Sequence, residues 1–181
     1  MAVGWFILPD KIIFLDRDGV INKKAPEHDY IRTWNDFKFL PHVDKAINIF
    51  NNAGYKIIVV TNQRGIARKL MSMSDLNNIH TNMRNELINK NAKIDDIFVC
   101  PHDDGECNCR KPQIGLFLQA EKKYQVNKNQ SFMIGDSKTD IEAGKSYGIK
   151  TVAINKVDLG ADYRFDDLYQ AAIFITGECK K

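Results

Sequence analysis

The sequence predicts an α/β fold, a parallel sheet covered by helices on both faces, and three observations predict it. Short unbroken apolar runs, above all I-I-F-L at 12–15 and I-I-V-V at 57–60, have the pattern of strands buried on both sides. Segments with apolar residues at helical spacing separate these runs, so strands and helices alternate along the chain. A polar signature then follows each of the first four strands. These signatures fall at carboxyl strand ends, where an open α/β sheet builds its binding crevice.

The first strand runs from Lys11 into Leu15 and breaks off in Asp16-Arg17-Asp18-Gly19. Two carboxylates one residue apart beyond a buried strand repel each other, and a divalent cation would offset that cost. A plain strand-end turn also uses Asp and Gly, so this stretch alone leaves both readings open. Residues 23–41 show little periodicity and read as a loop or flap beside the carboxylates, with Phe37, Phe39 and Leu40 as a short extended piece. Val43, Ile47 and Phe50 recur at helical spacing, and Gly54 stops that helix. The second strand, 56–60, ends in Thr61-Asn62-Gln63-Arg64-Gly65. Ser74 with Asp75 is expected to start a long helix whose apolar stripe is Leu76, Ile79, Met83 and Leu87. A third strand at 95–99 runs into the cysteine loop, and Leu116, Ala120 and Tyr124 lie on the following helix. A fourth strand, 131–134, closes on Gly135-Asp136, with a short helix at 139–147 behind it. A fifth strand is expected at 150–154 and a terminal helix at 165–175.

Composition bounds the function. The chain of 181 residues is most simply one domain, 1–181, with no internal repeat or linker. A net charge of +3, from 26 bases against 23 acids, is too small to argue for nucleic acid by itself. The apolar stretches are too short to cross a bilayer, and the N-terminus lacks the basic start and cleavage site of a signal peptide. No membrane association is expected. The cysteines are unevenly spaced, which suits a reducing cytoplasm and metal binding better than a disulfide scaffold.

Asp16 and Asp18, Thr61, Lys111, and Asp136 with Asp140 make a chemical set. Around a phosphate monoester, Asp16 can attack phosphorus in line to give an aspartyl-phosphate. Asp18 can protonate the leaving alkoxide and then activate the hydrolytic water. Mg²⁺ prefers oxygen ligands, which Asp16, Asp136 and a carbonyl of the Asp18 region would supply. Thr61 and the backbone N–H groups after it can cradle phosphoryl oxygens, and Lys111 adds positive charge. Singly, Thr61 and Asp136 could be helix caps, Asp140 a solvated helix residue and Lys111 a surface lysine. Their order, each after a strand or on a loop entering a helix, is what carries the signal.

That ordered set resembles the haloacid dehalogenase superfamily of phosphotransferases. D-R-D-G-V at 16–20 matches its first motif, T-N-Q at 61–63 its second, Lys111 of R-K-P its third and G-D-S-K-T-D at 135–140 its fourth. The resemblance covers about residues 11–155 and implies a Rossmann-like fold and Mg²⁺-dependent phosphatase chemistry. It implies Asp16 as nucleophile, Asp18 as acid/base, and Asp16, Asp18 and Asp136 as the magnesium site. The intervals between motifs are filled by helices, a strand and the cysteine loop. No cap domain is therefore expected, and the site should be open or covered only by loops.

Cys100, His102, Cys107 and Cys109 form C-x-H-x4-C-x-C, three thiols and an imidazole suited to closed tetrahedral Zn²⁺. A disulfide or unligated thiols are the alternatives. A small zinc-binding loop over about 100–111 would fix where Arg110 and Lys111 enter the site. The resemblance to the third motif implies Lys111 at the transferring phosphate, and because successive side chains alternate along an extended backbone, Arg110, with its planar fork, is expected at a second one. Cys179 reads as an incidental thiol.

The combination C-P-H…C-x-C-R-K-P resembles one branch of the superfamily, the heptose-bisphosphate and histidinol-phosphate phosphatases. The resemblance implies a small sugar-phosphate substrate, heptose 1,7-bisphosphate losing its 7-phosphate. It also implies substrate contacts at Glu27, His28, Asp29 and Tyr30, at Thr61, Asn62, Gln63 and Arg64, and at Arg110 and Lys111. Ser137, where many heptose enzymes carry Lys, and the short gap between zinc ligands depart from the heptose pattern. A chain without a second catalytic domain favours the heptose branch, by analogy. A cytoplasmic monomer is expected. Two other classes remain, a nucleic-acid 3′-phosphatase and a zinc-knuckle nucleic-acid module. The acidic Asp103, Asp104 and Glu106 argue against the second, and no nucleic-acid partner is expected.

Overall fold

The computed structural model describes residues 8–27, 29–154 and 157–178. Six parallel strands form one sheet: β1 (Ile12–Leu15), β2 (Lys56–Asn62), β3 (Asp96–Cys100), β4 (Phe132–Gly135), β5 (Lys150–Ile154) and β6 (Tyr163–Phe165). Their spatial order is β3-β2-β1-β4-β5-β6. The chain builds outward from β1 in one direction and then returns to build outward in the other. The topological switch point therefore lies between β1 and β4, and an open sheet of this order holds ligands beyond the strand ends there. Register places Ile13 beside both Ile57 and Phe132, so the residues just past β1 and β4 emerge side by side.

Period-two alternation divides the core into two layers. Ile13, Leu15, Ile57 and Val59 pack with α1 (Val43–Asn52), α2 (Met73–Ile88) and α5 (Leu168–Thr176) on one face. Ile12, Phe14, Ile58, Val60 and Met133 pack with α3 (Gly115–Glu121) and α4 (Lys138–Tyr147) on the other. Every residue of β1 is fully buried, as its unbroken apolar run requires. Between β1 and α1 the described residues form a 3₁₀ turn at Trp34–Asp36 and bridges from Asn22 to Asp18 and to Phe39. Between β3 and α3 lies the cysteine loop. Neither interval holds a cap among the described residues.

Several element assignments are corrected, among them β2, which runs two residues further, to Asn62. The long helix starts at Met73, because Ser72 caps it: the Ser72 side chain accepts from Asp75 N–H while the Asp75 carboxylate accepts from Ser72. β3 runs to Cys100, so the first cysteine of the loop belongs to the sheet. β4 starts after Ser131, whose hydroxyl donates to the Asn127 carbonyl and accepts from Ile12 N–H. Phe165 ends a sixth strand, and α5 begins at Leu168 behind its Asp167 cap. Cys179 and His28 lie outside the described residues.

Candidate active site

Beyond β1 and β4 the buried polar residues converge. Asp16 follows β1, its N–H donating 3.0 Å to the Ile134 carbonyl of β4. Lys111 arrives from the cysteine loop and is buried almost completely. Its ammonium donates 2.7 Å to Asp16 Oδ1 and 2.7 Å to the Val60 carbonyl, and lies 2.6 Å from Asp140 Oδ1. Burial alone would favour the neutral amine, but Asp140 and Asp16 outweigh it and hold Lys111 protonated. Asp16 is pushed up to about 7, by burial first and then by the Asp140 and Asp18 charges, against the pull of Lys111. One ammonium does not neutralise this group of carboxylates.

Asp140 serves two ends. Its Oδ2 accepts from the Ser137 N–H and hydroxyl in the capping box of α4, while Oδ1 faces Lys111. The cap and the site are thus the same residue. A Cβ on Gly135 would stand 2.2 Å from Asp140 Cβ, so only glycine lets this helix start come so close to β4. Asp136 Oδ2 pairs with Lys24 of the flap at 2.7 Å. Gly19, at φ +98°, brings the chain after Asp18 against Asp136, where a Cβ would fall 2.0 Å from its Oδ2.

The carboxylates of Asp16, Asp136 and Asp140 each offer an oxygen within 4.8 Å of the others. Hard, crowded oxygen donors fit Mg²⁺. Because both oxygens of Asp140 are engaged, Asp16 and Asp136 are the better placed ligands. The Asp18 carboxylate is turned away from this group. It accepts from Arg17 Nη2 at 2.9 and 2.8 Å, from Asn22 Nδ2 at 2.8 Å and from Gln63 Nε2 at 2.9 Å. Burial works against its charge, but Arg17 and these hydrogen bonds prevail and hold it below the usual carboxylate range. Only the backbone of Asp18 remains for a cation.

Thr61 lies inside β2, not at a helix start, and its hydroxyl accepts from Gln63 Nε2 at 2.9 Å. Asn62 clamps the Lys111 backbone: Oδ1 accepts from its N–H and Nδ2 donates to its carbonyl, both at 3.0 Å. Asn62 thus positions the lysine. Arg64 pairs with Asp103 and Asp104, and Arg110 Nε donates 2.6 Å to Asp104 Oδ1. Arg110 and Lys111 do diverge, although the backbone there is bent and turned, not extended as the alternation argument assumed. Glu27 is exposed on the flap, Asp29 pairs with Arg32, and the Tyr30 ring lies over Gly65. A pocket of about 660 Å³ lined by Lys24, Asp29, Tyr30 and Arg32 borders the carboxylates through Lys24.

In the cysteine loop, His102 Nδ1 lies 3.7 and 3.4 Å from the Cys100 and Cys109 sulfurs, Cys107 lies 3.5 and 3.3 Å from the same two, and all four atoms lie within 4.8 Å of one another. A tetrahedron of zinc–sulfur bonds has edges of about 3.7 Å, so the set fits Zn²⁺. Burial and the neighbouring sulfurs push the Cys109 thiol up and burial raises Cys100, whereas at Cys107 burial is outweighed by hydrogen bonds from Cys109 and the backbone, which lower it to about 7.

Arg17, His80 and Lys24 were not singled out from the sequence. Arg17 is fully buried, its Nη1 3.3 Å from His80 Nε2. Burial and Arg17 lower His80 to about 3, so it is neutral. His80 sits one turn beyond Leu76 on the apolar face of α2, a signal that was available. Nothing in the sequence marks Arg17 as buried.

The family model described as polynucleotide kinase 3 phosphatase matches residues 11–171. The D-glycero-beta-D-manno-heptose-1,7-bisphosphate 7-phosphatase of Rhodopseudomonas palustris is 41% identical over 144 residues, 75% of this chain and 78% of the relative. The chain belongs to the haloacid dehalogenase phosphatases, in the group of the heptose-bisphosphate phosphatases. The D-glycero-alpha-D-manno-heptose-1,7-bisphosphate 7-phosphatase of Photorhabdus laumondii is also 41% identical, over 77% of this chain and 79% of the relative. The crystal structure of D,D-heptose 1,7-bisphosphate phosphatase from B. bronchiseptica, complexed with magnesium and phosphate, superposes with a TM-score of 0.84 at 29% identity. That match covers 93% of this chain and 99% of the other. Members of this group are phosphatases, hydrolases of phosphate esters, and among the described residues no helix is long and apolar enough to cross a membrane.

Proposed function

We propose that the protein removes the 7-phosphate of D-glycero-D-manno-heptose 1,7-bisphosphate through an aspartyl-phosphate on Asp16. The observation that carries this reading is Asp16 at the topological switch point, one oxygen held by buried Lys111 and beside Asp136. That bond fixes the carboxylate for in-line attack on phosphorus, and Lys111 offsets charge on the transferring group. The Asp16–phosphorus bond forms as the sugar oxygen departs with a proton from Asp18. Water then attacks the acyl phosphate, Asp18 takes its proton, and phosphate leaves. Mg²⁺ on Asp16 and Asp136 would supply further charge stabilisation to the phosphoryl oxygens. As described, Asp18 is held as the carboxylate, which suits the hydrolytic half. Acting as acid, it must first carry a proton that Arg17, Asn22 and Gln63 oppose.

Zinc in the Cys/His loop, Arg64 and Arg110 toward a second phosphate, and the flap at 27–30 toward the sugar complete the reading. Reduced thiols suit a cytoplasmic site of action. The 41% identity to enzymes named for both anomers makes the anomer part of the test. The family model's description supports a second reading, a nucleic-acid 3′-phosphatase. A phosphate-release screen separates them: both anomers of the heptose bisphosphate, histidinol phosphate and an oligonucleotide 3′-phosphate. The highest kcat/KM is expected for a heptose bisphosphate. Preferred turnover of the oligonucleotide, with affinity falling steeply with salt, would overturn the sugar reading.

A further inference from the structure

The zinc loop carries an acidic pair whose partners are the two arginines assigned to the second phosphate. Asp104 lies between them. Its Oδ1 accepts from Arg110 Nε at 2.6 Å, and its Oδ2 is 2.9 Å from Arg64 Nη1. Asp103 supports the arrangement from behind: it pairs with Arg64, lies 3.5 Å from Arg68 Nε, and accepts the Asp104 N–H at 2.6 Å. One carboxylate bridging two guanidinium groups reproduces the way such forks hold a phosphate. The bridge leaves capacity over, because Arg110 Nη1 is enclosed and has no hydrogen-bond partner among the described residues. A pocket of about 310 Å³ lined by Asn62, Asp104, Arg110, Lys111 and Thr139 lies beside the Asp104–Arg110 pair. The Asp104 side chain is 62% exposed, and the neighbouring Gly105 has no atom within 4 Å of where its Cβ would be, so there is room to swing away.

We propose that Asp104 is an internal competitor for the second phosphate of the substrate, a specificity-tuning residue that holds Arg64 and Arg110 together and yields them to an arriving anion. The inference rests on the reading above, in which the substrate carries a phosphate that is bound but not cleaved. That phosphate is still present on the product. Without a competitor, the two arginines would hold product as they hold substrate. With Asp104 returning to them, binding energy at the distal end is reduced and product leaves more readily. Both ion pairs are partly exposed through Asp104, so the effect is modest and screened by salt.

The test is Asp104→Asn in the Mg²⁺-loaded, full-length protein, with zinc content measured to show that the loop is intact. Calorimetric titration with heptose 1-phosphate should give a dissociation constant about 3- to 10-fold lower than wild type at low salt. The ratio of kcat/KM for the bisphosphate over heptose 7-phosphate should rise by a similar factor. Both gains should vanish when Arg64 and Arg110 are both replaced by Ala. Unchanged or weaker product binding, or a gain that persists without both arginines, would overturn the inference. A third arm uses sulfate as inhibitor of a simple aryl phosphate, where Asp104→Asn should be the more sensitive. A sulfate gain in a protein that does not turn over heptose phosphates refutes the substrate reading alone. Heptose bisphosphate turnover with no gain in Asp104→Asn refutes the role of Asp104 alone.

Discussion

The reacting centre and the arginine cluster of the zinc loop both join acids to bases, yet they are built to opposite ends. At the reacting centre, Lys111, Asp16 and Asp140 are buried, and strand ends and a helix cap fix each of them. Ionic groups removed from water must keep their partners, because a single loss leaves a charge with nothing to offset it. At the loop, Arg110 and, from the turn after β2, Arg64 and Arg68 meet Asp103 and Asp104 in partly exposed pairs that water can replace at little cost. The buried set suits a geometry that stays the same in every turnover. The exposed set suits partners that are exchanged. A cation held by the Cys/His set would join the two, since Cys109 is followed directly by Arg110 and Lys111.

The largest expected effect is at Asp16. Asp16→Asn should abolish phosphate release, because an amide cannot form the acyl phosphate. Lys111 keeps Asp140 and the Val60 carbonyl, so circular dichroism should show an intact fold. Near-normal turnover by this variant, purified and metal-loaded, would remove Asp16 as nucleophile. Asp18→Asn should lower kcat by roughly 10²–10⁴-fold through lost acid/base catalysis. A loss of less than tenfold would assign the proton transfer elsewhere.

The two metals sharpen the comparison in another way. Brief EDTA treatment should stop activity, and Mg²⁺ alone should restore it if the tetrahedral zinc has survived. Cys107→Ser should lower zinc content and, by loosening Arg110 and Lys111, reduce turnover as well. Zinc-free protein with full activity would show that the loop and the reacting centre are not coupled.

How much of this was legible in the sequence follows the same division. The run at 12–15, the run at 57–60 and the signatures after the strands identified the sheet and its working edge, because full burial requires unbroken apolar residues. Spacing alone marked the Cys/His set, since its ligands are near in sequence. The start of α2 was misplaced because Ser72 and Ser74 are both plausible caps, and only the reciprocal bonds between Ser72 and Asp75 decide it. β6 escaped notice: it is three residues long, at a sheet edge, with an arginine at its centre. Long-range polar contacts were the least visible. Nothing local announces that Asn62 grips the Lys111 backbone, that Arg17 is buried against His80, or that Asp104 bridges two arginines.

The division between the regions is tested most directly by steady-state kinetics of Lys111→Ala and Arg110→Ala on heptose 1,7-bisphosphate and on heptose 7-phosphate. Lys111→Ala should depress kcat on both substrates, since it removes a charge from the phosphoryl group common to them. Arg110→Ala should weaken kcat/KM for the bisphosphate by about 10- to 150-fold, equivalent to about 1.5–3 kcal/mol, and leave the 7-phosphate almost unchanged. Equal losses on both substrates for Arg110→Ala would contradict the account, removing the distal-phosphate role and with it the bisphosphate as the preferred substrate.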